Sequence, residues 1–98
     1  MGGWDCGPCL KWKNTNKAAW LASKEHQRVD YVEIESPKLK EAYEDRYWPQ
    51  DLRGIRDQLP KKSGTPRFIV LKGNTIVSNE WGNERWDRTL QKVREVLA

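Results

Sequence analysis

Cysteine is scarce: the 98-residue chain has two, Cys6 and Cys9, separated by two residues. A disulfide stabilises more the longer the loop it closes, and this pair is too close in sequence to staple a fold as structural disulfides usually do, so its value must be chemical. Histidine, methionine and phenylalanine occur once each. A closed structural zinc site needs four Cys or His ligands, so Cys6, Cys9 and the distant His26 cannot build one within a single chain; only a dimer sharing both pairs makes a Cys₄ site. No stretch approaches the roughly 18–20 apolar residues of a membrane span. Met1-Gly2-Gly3-Trp4 has neither the basic start nor the apolar run of a secretory signal, and a cytoplasmic location off the membrane is expected. No single-sign charge block is present either: 18 basic and 14 acidic residues, net charge +4, alternate along the chain. That is a mild bias toward acidic partners and not the footprint of nucleic-acid binding. Repeats, low-complexity tracts and linkers are lacking as well, so residues 1–98 read as one domain.

What is present is aromatic. Hydrophobic residues make up 37% and charged residues 33% of the chain, while Trp alone occurs six times. With a mean hydropathy of −0.94, the core must be thin and built largely from large rings.

The pattern along the chain predicts an α/β fold. Cys6 to about Gln27 is helix-tolerant, with Leu10, Ala18, Leu21 and Ala22 on one side and a bend near Asn14-Thr15-Asn16. Arg28–Glu35 is rich in β-branched and aromatic residues and predicts a strand of about six residues. Ser36 and Pro37 suit the cap and first position of a second helix carrying Leu39, Ala42, Tyr43 and Tyr47, which Trp48-Pro49 interrupts. Asp51 then caps a short segment with Leu52, Ile55 and Leu59, and Pro60 to Pro66 is loop. Phe68–Leu71 is a continuous apolar run of strand length that needs cover on both faces. Lys72-Gly73-Asn74 turns it into a returning antiparallel strand from Thr75 toward Trp81. Asn83 caps a last helix whose stripe is Trp86, Leu90, Val93 and Leu97.

Cys6-Gly7-Pro8-Cys9 stands where a loop enters a helix. The unpaired N–H groups and positive dipole end of a helix stabilise an anion, so a cysteine placed there loses its proton more readily than a free thiol. Cys6 is the candidate thiolate nucleophile. Cys9, one turn later, is within reach of the first sulfur and is the candidate resolving thiol. Pro8 stiffens the turn where its missing N–H costs little, and Gly7 leaves room for another chain. Lys11, Lys13 and Lys17 add positive charge, while Asp5 opposes it.

These features, in this order, resemble the thioredoxin family over nearly the whole chain: Cys-Gly-Pro-Cys at a helix start, a strand, a helical region, Gly64-Thr65-Pro66 leading into Phe68–Leu71, a hairpin turn at Gly73, and a closing amphipathic helix. The resemblance implies a cis Pro66 packed on the cysteine pair, with Gly64 and Thr65 lending backbone to a bound substrate. It further implies a thiol–disulfide oxidoreductase that needs no cofactor or metal, acts on disulfide-containing proteins, is recharged by an external thiol reductant and sits toward the reducing end. Two departures stand out. Asp5 occupies the position where the family has Trp, leaving Trp4, one place earlier, to shield the site. The family's strand ahead of the cysteine motif, with its buried acid, cannot be supplied by five residues. Three arrangements replace it: direct pairing of Val29–Glu35 with Arg67–Leu71, a strand inserted by a partner chain, or a truncated product. The first is expected, giving a truncated thioredoxin-like, three-stranded antiparallel sheet with helices on both faces, a closing β-hairpin and a C-terminal helix; a homodimer pairing exposed edges comes next.

The competing reading is a non-catalytic binding module, dimeric in some form, whose basic, Trp-rich surface holds a protein partner. Trp20, Trp48 and Trp81 serve equally well as that surface or as core. His26 near a helix C-terminus reads as a solvated residue and not a catalytic base.

Overall fold

The computed structural model describes residues 1–59 and 64–98; Pro60–Ser63 of the expected loop lie outside them. Helical and extended elements are mixed, as an α/β pattern requires. Among the described residues two short ladders form. Strand β1 (Gly2–Gly3) pairs in parallel with β2 (Glu35–Ser36), and β3 (Arg67–Lys72) pairs antiparallel with β4 (Thr75–Trp81). The hairpin lies where the apolar run and the Lys72-Gly73-Asn74 turn place it. Gly73 takes φ 62°, a left-handed conformation that glycine enters without steric cost.

The expected direct pairing of Val29–Glu35 with Arg67–Leu71 does not occur. The N-terminal residues stand between them instead. Gly2 N–H donates to Ile34 C=O and Trp4 N–H to Ser36 C=O, each at 2.9 Å. On the other side Met1 and Arg67 exchange both backbone bonds, at 2.8 Å from the terminal amine and 2.9 Å in return. Residues 1–4 thus lie between the 34–36 segment and Arg67, and among the described residues the strands pair as two two-stranded ladders and not as a three-stranded antiparallel sheet. Beyond that stub, residues 29–34 carry no ladder, so the strand expected there shrinks to Glu35–Ser36.

The first helix is shorter than expected and has a wide turn in its middle. It runs as α1 (Gly7–Trp12), a π-helical stretch (Lys13–Lys17) and α2 (Ala18–Leu21). The disturbance falls on Asn14-Thr15-Asn16, where Thr15 Oγ1 donates to Lys11 C=O at 2.7 Å, a local bond that competes with the helical ladder. Instead of continuing to Gln27, the helix stops because Ser23 takes over its end. Ser23 Oγ donates to Trp20 C=O at 2.6 Å and accepts from His26 N–H at 3.1 Å.

The second helix, expected from Pro37 to Tyr47, is replaced by 3₁₀ turns at Leu39–Glu41 and Asp45–Tyr47. Ser36 is not its cap; it is a buried β2 residue whose hydroxyl donates to Lys38 C=O at 2.7 Å. Side chains take the carbonyls a helix would use internally: Trp48 Nε1 bonds Ala42 C=O at 2.6 Å, Arg56 reaches Tyr43 C=O at 3.2 Å and Arg53 reaches Asp45 C=O at 3.2 Å. The third segment is a 3₁₀ turn (Gln50–Leu52) running into α3 (Arg53–Arg56), and Asp51 makes no capping bond. Asn83 likewise caps nothing. It opens a 3₁₀ turn, and its Oδ1 accepts from Asn16 Nδ2 at 3.3 Å, while α4 follows as Trp86–Leu97.

Alternate residues of β3 feed two apolar clusters. Phe68 joins Trp12, Trp20, Trp86 and Val93 on one face, with Val70, Leu90 and Leu97 against them. Ile69 faces the other cluster, built on Ile34, Trp48 and Leu59. Helical elements therefore cover both faces of β3. In the first cluster Trp86 sits edge-on to both Trp12 and Trp20, ring centroids 5.2 and 5.5 Å away. Such pairs contribute about 0.5–1.5 kcal/mol beyond their burial. Trp20 and Trp48 are thus core, whereas Trp81 is 40% exposed.

The Met1 amine is enclosed between the two ladders. Burial pushes its pKa down, Glu33 draws it back, and Arg67 and Lys13 add to the fall, leaving it at about 5 against an ordinary 8.0. Between those values the unfolded chain holds a proton that the folded chain has released, so stability rises with pH across that window. The thermal midpoint is expected to climb from pH 5 to pH 8. N-terminal acetylation, checked by the same melting series, is expected to flatten that climb.

Candidate functional site

The continuous helical run that begins at Gly7 places Cys6 at its N-cap, with backbone φ −100° and ψ 108°, and Pro8 in its first turn. The extended backbone at Cys6 turns its side chain back over the helix start, where Cys6 Sγ accepts from Cys9 N–H at 3.2 Å. Cys6 and Cys9 are joined as a disulfide, Cα atoms 5.2 Å apart. Both are buried, at 4% and 3% exposure.

From the far side of the chain the 64–66 loop closes on this pair. Thr65 Oγ1 lies 3.2 Å from Cys6 Sγ, a hydrogen bond spanning 59 positions. The Thr65–Pro66 peptide is cis, and Pro66 is buried. Its carbonyl accepts from Gly82 N–H at 2.9 Å, which ties the loop to the end of β4. Gly64 packs under Trp81: a Cβ there would meet the indole Cδ1 at 2.6 Å. The structure therefore sets Thr65 against the Cys6–Cys9 pair, with Pro66 next to it in the chain and Gly64 under Trp81.

Other sequence-chosen residues sit differently. Trp4 is 62% exposed and its Nε1 donates to Glu35 Oε2 at 3.3 Å. A Cβ on Gly7 would meet nothing within 4 Å, so no internal packing demands glycine there and the helix start is open to solvent. Lys13 and Lys17 form ion pairs with Glu35 and Glu33 that pin the helical run to the 33–35 segment. Glu33 pays for this burial with an upward push on its carboxyl, which hydrogen bonds from Tyr31 and Lys17 more than reverse, leaving it below its usual value. Asp5 accepts from Leu39 N–H at 2.8 Å and holds the following turn. His26 is stacked edge-on to Trp20 and Tyr31, in the aromatic cluster rather than near the sulfurs. Among the described residues no group of three or more His, Cys, Asp or Glu is placed to hold a metal ion, and no helix is long and apolar enough to cross a membrane.

Two residues escaped the sequence reading. Gly2 passes so close to the pair that a Cβ on it would sit 2.7 Å from Cys9 Sγ; the Gly-Gly dipeptide was its signal. Arg67 is 1% exposed, with its guanidinium on Asn79 Oδ1 at 2.8 Å and over the Trp81 ring at 5.7 Å. Burial lowers its pKa, and a hydrogen bond to Tyr43 opposes that. It carries the loop's position into the sheet.

No protein-family model, curated protein or solved structure matches the chain.

Gly2→Ala is expected to destabilise the fold by about 1–3 kcal/mol, because backbone and sulfur must part to admit a methyl group. Gly7→Ala, entering open space inside a helix, is expected to leave stability unchanged or raise it by up to about 1 kcal/mol. Urea unfolding of the two variants checks the contrast.

Proposed function

We propose that this chain is a thioredoxin-like thiol–disulfide oxidoreductase. The observation that carries the reading is the convergence on Cys6 Sγ of Cys9 N–H and Thr65 Oγ1, each at 3.2 Å, from opposite ends of the sequence. A backbone N–H at a helix start and a loop hydroxyl able to donate favour a thiolate over a thiol once the disulfide is opened. A neighbouring sulfur one turn away allows the bond to re-form.

The reaction follows from that placement. An external dithiol first reduces the Cys6–Cys9 disulfide. The Cys6 thiolate attacks one sulfur of a protein disulfide, forming a mixed disulfide and expelling the partner's other sulfur as thiolate. Cys9 thiolate then attacks Cys6 Sγ, the second partner sulfur leaves, and the Cys6–Cys9 bond returns. Two electrons pass to the substrate, and solvent supplies its protons. Gly64 and Thr65, on a loop beside the disulfide, are the backbone against which an extended substrate segment aligns. A compartment that keeps thiols reduced, such as the cytoplasm, suits a catalyst at the reducing end. The same reading treats the two ladders, joined through Met1, as a shortened thioredoxin-like sheet.

Insulin reduction by dithiothreitol tests this directly. The wild-type chain is expected to accelerate it and Cys6→Ser to abolish the acceleration. Cys9→Ser is expected to accumulate a mixed disulfide visible on a non-reducing gel. Thr65→Val keeps the shape but removes the hydroxyl, and is expected to slow the reaction roughly fivefold, the value of about 1 kcal/mol of hydrogen bonding. No acceleration by the wild-type chain overturns the reading.

A second reading rests on the exposed apolar residues Trp4, Leu10 and Trp81. A non-catalytic module that docks a protein through them keeps full partner affinity in a Cys6→Ser, Cys9→Ser double variant, whereas the oxidoreductase does not form its covalent complex.

A further inference from the structure

Residues 1–4 form a thread that runs past the disulfide. Backbone bonds fasten it along its length: Gly2 N–H donates to Ile34 C=O, Trp4 N–H to Ser36 C=O and Arg67 N–H to Met1 C=O, each at 2.9 Å. A Cβ on Gly2 would lie 2.7 Å from Cys9 Sγ and 3.2 Å from Cys9 Cβ, while one on Gly3 would lie 3.0–3.1 Å from Asp5 Oδ1 and Leu39. Strand β1 is therefore fitted between the cysteine and the turn that follows β2. Asp5 Oδ1 anchors that turn by accepting from Leu39 N–H at 2.8 Å.

The two sulfurs are held unequally. Cys6 Sγ accepts from Cys9 N–H and lies against Thr65 Oγ1, each at 3.2 Å. Among the described residues Cys9 Sγ makes no hydrogen bond, and its neighbour beyond the disulfide is Gly2. An external dithiol opens the bond by thiol–disulfide exchange: two electrons and two protons pass to the pair, two thiols result, and the dithiol leaves as its own disulfide. Sulfurs that were bonded must then part to contact distance. Hydrogen bonds retain Cys6 Sγ, so Cys9 Sγ is the one that moves.

What gives way to it follows from how each neighbour is held. The Cys9 backbone belongs to α1, which Trp12 roots in the aromatic cluster. The thread is held far less firmly. Gly2 and Gly3 bring no side chain to the core, Trp4 is 62% exposed, and backbone bonds of modest net value do most of the fastening. A cavity of about 690 Å³ bordered by both Gly2 and Cys9 leaves space for the shift.

We propose that the Cys6–Cys9 pair is a redox-sensitive latch on the N-terminal thread. Oxidised, it leaves room for β1 between the 34–36 segment and Arg67. Reduced, the Cys9 sulfur displaces Gly2, and the thread's bonds to Ile34, Ser36 and Arg67 open while β3 and β4 stay paired. The latch requires only that a dithiol can open the disulfide and not that the chain turns over a protein substrate. A negative insulin assay therefore leaves it intact, and its own failure leaves the oxidoreductase reading intact.

Amide hydrogen exchange of the full chain, oxidised and in excess dithiothreitol under exclusion of air, tests the latch. The Trp4 and Arg67 amides are expected to exchange at least about tenfold faster in the reduced chain. Phe68 and Val70, in register with Glu80 and Ser78 of β4, are expected to change by less than about twofold. Cys9→Ala has no sulfur to displace the thread. It is expected to keep Trp4 and Arg67 within about threefold of the oxidised chain, with or without dithiothreitol. Equal exchange of Trp4 and Arg67 in the two redox states overturns the proposal. Acceleration that reaches Phe68 and Val70 to the same extent also overturns it, since that is general loosening from a lost cross-link. So does a Cys9→Ala chain as mobile at Trp4 as the reduced one, because the sulfur then has no part in the release.

Discussion

The constraint on which the site depends is the N-terminal thread, residues 1–4, which bonds the 34–36 segment on one side and Arg67 of β3 on the other. Gly2 and Gly3 have no side chains: a Cβ on Gly2 would clash with Cys9 Sγ at 2.7 Å, and one on Gly3 would be tight against Asp5 Oδ1 and Leu39 at 3.0–3.1 Å. Backbone can therefore run between the disulfide and the following turn. Through Met1 the thread fastens to Arg67, and through Gly2 and Trp4 to Ile34 and Ser36. Each bond has a net value of only about 0.5–1.5 kcal/mol. Their weight lies in what they join, because Arg67 directly follows the loop that faces Cys6.

The disulfide and the loop are consequently positioned by the same device. Cys9 is backed by Gly2, Cys6 by Thr65, and Thr65 leads through Pro66 into the strand that Met1 holds. Arg67 extends this grip to β4 through Asn79 and Trp81. Gly82 N–H closes it on Pro66 C=O. The chemistry proposed for the sulfurs is thus coupled to sheet packing, although the reacting atoms lie on a helix start and a loop.

Legibility in the sequence followed the strength of the local signal. Phe68–Leu71 and the Trp86-Leu90-Val93-Leu97 stripe are long, clean patterns, and β3, β4 and α4 lie where they point. The cysteines' place at a helix start needed only Pro8 and the spacing. That the 64–66 loop faces the cysteines could not be read from either segment alone and was expected only through the resemblance, which did not include the hydroxyl contact of Thr65 with Cys6. In the middle, Leu39, Ala42, Tyr43 and Tyr47 have helical spacing, yet Trp48, Arg53 and Arg56 bond the carbonyls of that stretch, a long-range preference that periodicity does not contain. Strand β1 was invisible for another reason. Glycine is depleted in strands, and only the narrowness of the gap explains why two of them form one here.

The π-helical stretch at Lys13–Lys17 has a geometric effect on the core. Successive residues of an α-helix are about 100° apart around its axis, so the eight steps from Trp12 to Trp20 would leave the two indoles about 80° out of phase. One residue absorbed by a widened turn reduces the count to seven effective steps and the offset to about 20°. Both rings then address the same indole of Trp86. The polar interruption that weakens the helix is therefore also its phase corrector, turning two bulky side chains onto one azimuth.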